Sequence, residues 1–163
     1  MKNLFIILNI IFLLTCNLLF SSSHNVHNHN HEHNNEFGIA IGLIPNHENK
    51  DYNLGLHLHY VKGIGNNNQY GIGFSLETIF EEHKHNSMSL IGTYHFDNGF
   101  TIAYAPGILF VDHNGIKETE FAQHFEFYYE IELDNFHVGP QFDIGIEDGE
   151  AHYMLGLHLG INF

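Results

Sequence analysis

The stretch Asn53–Val61, NLGLHLHYV, decides the fold. In an extended strand its residues alternate between two faces, Leu54, Leu56, Leu58 and Tyr60 on one and Gly55, His57, His59 and Val61 on the other. His152–Phe163 repeats the division, setting Tyr153, Leu155, Leu157, Leu159, Ile161 and Phe163 against His152, Met154, Gly156, His158, Gly160 and Asn162. A water-soluble sheet buries its bulky face and gives solvent a charged one. Here the second face holds glycine, histidine and scattered carboxylates, which suit a cramped polar interior better than a solvated exterior. The pattern therefore predicts a closed wall with its apolar side toward lipid and its polar side inward. The competing arrangement, a soluble lipocalin-like barrel, would turn Leu54, Leu56, Leu58 and Phe74 inward and leave Gly55, His57, His59 and Ser75 in water.

The same alternation recurs in eight runs, near Phe37–Ile44, Leu54–Gly63, Tyr70–Phe80, Ser87–Phe96, Phe100–Val111, Phe121–Leu133, Phe136–Glu147 and His152–Phe163. Several have the nine to eleven residues that cross a bilayer at a tilt. Asp97-Asn98-Gly99 and Asp134-Asn135 read as tight hairpin turns, and Gly65–Asn68 as a looser one. The alternate connections, Pro45–Asn53, Glu81–Asn86, Asp112–Glu120 and Asp148–Ala151, all carry charge. The expected fold class is all-β, an eight-stranded antiparallel up-and-down transmembrane β-barrel.

Residues 1–23 read as a signal peptide, with the positive start Met1-Lys2-Asn3, the apolar stretch Leu4–Leu14 and small residues Ser21-Ser22-Ser23 before a cut near His24. The single cysteine, Cys16, lies inside this leader; acylation of Cys16 as a lipoprotein is the alternative processing. Residues 24–35 form a His/Asn-rich arm expected to be disordered, and residues 36–163 the barrel.

With 19 acidic residues against 5 basic ones, all lysine, the formal charge is −14, which repels nucleic acid and excludes it as a partner. The 16 histidines fall into two groups. In the arm, HNVHNHNHEHNN places His27, His29, His31 and His33 two apart around Glu32. Closely spaced neutral imidazoles suit zinc, nickel or copper, though a plain polar spacer accounts for the same composition. The fold itself requires no cofactor.

The second group points inward by parity: His57, His59, His95, His124, His137, His152 and His158, joined by Ser75, Glu77, Glu126, Glu130, Glu132, Gln141, Asp143 and Glu147. A two-residue turn at Asp134-Asn135 sets Glu132 opposite His137, Tyr128 opposite Gln141, and Glu126 opposite Asp143. Two facing carboxylates must share a proton, gain a cation or find a histidine such as His124. Glu126, Asp143 and His124 are thus the interior metal candidates. The bland counterpart is a structural polar network filling a lumen that eight strands leave barely wide enough for side chains.

Aromatic residues cluster near strand ends, among them Phe37, Tyr60, Phe80, Phe100, Phe121, Phe136, Tyr153 and Phe163, where interfacial girdles belong. On these runs, girdles and leader the chain, over roughly Phe37 to Phe163, resembles the small eight-stranded outer-membrane β-barrels of Gram-negative bacteria. The resemblance implies outer-membrane lipids as surroundings, and a closing signal, Tyr153 through Phe163, read by the barrel-insertion machinery. An even strand number and the shorter turns at the end carrying both termini put that end, with the arm and the C-terminus, in the periplasm.

The class hosts several functions and carries no catalytic motif of its own. The leading expectation is a non-enzymatic barrel linked to divalent-metal handling through arm and interior. A structural or adhesin-like barrel without a dedicated ligand is the second. The third is a lipid A-modifying enzyme resting on the spacing His85-Asn86-Ser87, whose continuation Met88-Ser89-Leu90 departs from the deacylase pattern.

Overall fold

Period-two alternation drives nearly every described residue into strands, and no helix occurs among them. The computed structural model describes residues 34–46, 51–65, 68–81, 84–113, 116–147 and 149–163. The leader, Cys16 and the histidines of the arm lie outside the described residues. The strands are β1 (Asn35–Pro45), β2 (Tyr52–Ile64), β3 (Tyr70–Phe80), β4 (Lys84–His95), β5 (Phe100–His113), β6 (Ile116–Tyr129), β7 (Ile131–Leu133), β8 (Phe136–Glu147) and β9 (Glu150–Asn162).

Strands β1 to β6 each pair antiparallel with the next in sequence, as do β7 with β8 and β8 with β9, and β1 also pairs with β9 while β6 pairs with β8, which closes the sheet. The short β7 continues β6 past Glu130, whose N–H turns to the Gly99 carbonyl at 2.7 Å, so nine segments make an eight-stranded barrel. Closure removes every sheet edge and satisfies the backbone within the wall, as a lipid surround requires. The ends of the wall also join: the Asn35 N–H donates to the Phe163 carbonyl at 3.1 Å and the Phe163 N–H to the Asn35 carbonyl at 2.9 Å.

Parity resolves in the direction the opening stretch requires. Gly55, His57, His59 and Val61 are buried, while Leu54 is exposed and Leu56, Leu58 and Tyr60 are partly so. Phe74 and Leu90 on neighbouring strands are 52% and 69% exposed. The lipocalin-like arrangement is overturned, because its buried and solvent faces would have to be exchanged throughout.

The connections are shorter than the sequence suggests. The Asp112–Glu120 segment, expected as a loop, is mostly strand: β5 and β6 stay in register from Phe100 opposite Tyr129 to His113 opposite Ile116. Polar residues such as Glu118 and Thr119 weaken the hydrophobic signal without weakening the ladder, since pairing is made by the backbone. The tight turns behave as read, with Gly99 at φ 81° and Asp134 at φ 57°. One inward assignment fails: Glu132 is exposed, because β7 rises past the mouth of the barrel where parity no longer implies burial.

Candidate functional site

The interior polar residues form three levels along the barrel. At the end carrying the termini, Glu36 enters from β1, His59 from β2, His137 from β8 and His158 from β9. One oxygen of Glu36, Oε1, lies 3.0 Å from His59 Nε2, 3.5 Å from His137 Nε2 and 3.6 Å from His158 Nε2. All four residues are buried. Glycines make the room: Gly38 pairs with both His59 and Gly160, and a Cβ on Gly38 would collide with the rings of His59 and His158, one on Gly160 with that of His137. Beside this level, Glu130 accepts from Thr101 Oγ1 at 2.6 Å and lies 3.3 Å from His95 Nδ1.

At mid-height Glu126 and Asp143 face each other across β6 and β8, as the turn at Asp134-Asn135 dictates. The two companion pairs, Tyr128 with Gln141 and Glu132 with His137, also fall in the expected register. Histidine 124 does not join the carboxylates. Gln141 donates its amide to Asp143 Oδ1 at 2.8 Å and reaches Glu126 Oε2 at 3.4 Å, while His57 Nδ1 lies 3.6 Å from Glu126 Oε1.

Nearer the opposite end, His124 sits between Glu77, 2.9 Å from Nδ1, and Glu147, 3.5 Å from Nε2. His152 lies 3.8 Å from Glu77 and 3.6 Å from Glu147. His85 touches Glu147 through Nε2 and has Glu81 at 3.2 Å from Nδ1. Sequence parity brings His124 to the correct face but not to the correct level. Same-face neighbours two residues apart are about 7 Å from each other along a strand, and its ring reaches away from Glu126.

Comparison with solved structures places this architecture. Neisserial surface protein A superposes with a TM-score of 0.55 over 79% of this chain and 96% of that one, at 10% identity. The N-terminal β-barrel domain of Pseudomonas aeruginosa OprF gives a TM-score of 0.55 over 80% and 98%, at 16% identity. The Yersinia pestis outer-membrane protein Ail gives 0.52 over 80% and 97%, again at 16% identity. The fold is that of the small eight-stranded outer-membrane β-barrels. No family model and no curated protein sequence matches the chain.

In an outer-membrane barrel a lipid-modifying pair must present its nucleophile to the lipid. Ser87 is instead buried in the lumen, and both ring nitrogens of His85 face carboxylates, so the two residues are not arranged as nucleophile and base. Tyr153 and Phe163 lie on the apolar outside of the barrel, 44% and 56% exposed. Sequence reasoning missed Glu36. It stands at the boundary between arm and barrel, yet the parity of Gly38, Ala40 and Gly42 already pointed its side chain inward.

The donor set suits a borderline cation, with imidazole nitrogens and carboxylate oxygens in three groups: Glu36, His137 and His158; His57, His59 and Glu126; Glu77, His124 and His152. Within each, one ligand atom per residue lies within 4.8 Å of the others. Asp143 belongs to none of these groups.

Proposed function

We propose that the chain is a non-enzymatic outer-membrane protein, with its termini in the periplasm and its charged connections outward, that binds a divalent transition-metal ion among its histidines. Outer-membrane lipids cover the apolar band, and the insertion machinery reads the strand from Tyr153 to Phe163. The observation that carries the reading is chemical. Both ring nitrogens of His57, His137 and His158 are buried without a hydrogen-bond partner, although carboxylates stand nearby. Buried polar atoms in native proteins are normally satisfied, and a cation would satisfy several at once. Zinc, nickel and copper match the donors, and His27, His29, His31 and His33 supply the same chemistry in the arm.

The test is metal content after gel filtration of the refolded mature chain in detergent. The wild type should retain metal stoichiometrically, and H27N/H29N/H31N/H33N should lower the amount without abolishing it. Absence of retained zinc, nickel and copper in both proteins would refute metal handling. A surface-interaction role is favoured by a different observation, the likeness to structures described as a surface protein and an attachment invasion locus protein. Under that reading adhesion of expressing cells to a host surface would survive removal of the interior histidines.

A further inference from the structure

Resting on the metal-binding reading, we propose that Glu36, His137 and His158 together hold one zinc-class divalent ion at the terminus-bearing end of the lumen, with the fourth tetrahedral position open and His59 steadying the carboxylate. Zinc bound to imidazole and carboxylate at about 2.0–2.1 Å holds its ligand atoms about 3.3–3.4 Å from one another. The spacings from Glu36 Oε1 to the Nε2 atoms of His137 and His158, 3.5 and 3.6 Å, lie close to that edge length.

An ordinary ion pair explains only part of this level. A carboxylate partnered by His59 at 3.0 Å is accounted for, but the Nε2 atoms of His137 and His158 point at the same oxygen with no hydrogen bond of their own. These two residues are 1% and 0% exposed. The Nδ1 atoms of all three histidines are likewise without partners, leaving the rings oriented by packing around the carboxylate. Two neutral imidazoles and one carboxylate leave a bound divalent ion with a single net positive charge.

The other levels are built differently. Gln141 already bridges Glu126 and Asp143, and at the far end His85, His124 and His152 alternate with Glu77, Glu81 and Glu147 in imidazole–carboxylate contacts. The Glu36 side chain keeps 8% exposure, and it follows His33, the last histidine of the arm, by three residues.

The experiment uses the full mature chain with H27N/H29N/H31N/H33N, so that only interior sites compete, titrated with Co(II) in detergent micelles. One equivalent should bind with the intense visible absorption of tetrahedral cobalt, and Zn(II) should displace it. E36Q and H158N should each weaken binding by more than about 100-fold, beyond the loss expected from removing an outer partner of a ligand. H137N gives a third reading should E36Q fail to fold, and heat-modifiable gel mobility reports folding for each. E118Q, on the exposed end of β6, should bind as before.

Cobalt bound with a weak octahedral spectrum, or lost in E77Q/H152N and kept in E36Q, would overturn this site while leaving metal binding intact. Binding that vanishes with the arm histidines alone would also overturn the site. Failure of the wild-type chain to bind Co(II) or Zn(II) would remove both readings.

Discussion

Gln141 holds two facing carboxylates with one amide group, donating to Asp143 at 2.8 and 3.0 Å and approaching Glu126 at 3.4 Å. Replacing it by leucine leaves the shape and removes the donor. Gln141→Leu should destabilise the barrel by about 1–3 kcal/mol in a urea titration in detergent, and adding Asp143→Asn should recover part of the loss. At Gly38 the effect is steric: a methyl group would fall on the rings of His59 and His158. Gly38→Ala should cost about 1–3 kcal/mol, whereas Gly65→Ala, where a Cβ meets nothing within 4 Å, should show only the smaller strain of its positive φ. Individual residues were legible in the sequence to the extent that parity and register govern them. The opposition of Glu126 and Asp143 followed from turn length alone. The partners of His124 did not, because which level an imidazole reaches depends on barrel tilt and on a side-chain torsion that one strand does not reveal.

At the scale of elements, the β7–β8 hairpin turns on Asp134, whose φ of 57° is left-handed. Aspartate tolerates that conformation, and a β-branched residue does not. Asp134→Val should lower stability by about 1–2 kcal/mol, while Asp134→Gly should be neutral or slightly stabilising in the same titration. Such turns are readable because their chemistry is local. Strand limits are less so: β6 starts at Ile116, five residues before the apolar alternation becomes visible at Phe121. Backbone pairing extends through Lys117–Glu120, where side chains no longer report which face is which.

For the whole molecule, the apolar residues outside and the polar residues inside form one statement about solvent. Leu90, the most exposed large apolar side chain among the described residues at 69%, should be intolerant of charge: Leu90→Arg should cost about 2–4 kcal/mol in a lipid environment if it sits near the bilayer midplane. Glu118→Arg, on the exposed polar end of β6, should change stability by less than about 0.5 kcal/mol. The architecture was legible because eight runs repeat one parity rule, and closure follows when no edge can be left unpaired in lipid. The direct test is site-directed spin labelling in bilayers. Residues 36–163 contain no cysteine, so with Cys16→Ser the variants Phe74→Cys, Leu90→Cys and Leu157→Cys each carry one unambiguous label. All three labels should be relaxed by lipid-soluble oxygen more strongly than by a water-soluble nickel chelate. Preferential relaxation by the chelate at these positions would contradict a lipid-facing wall.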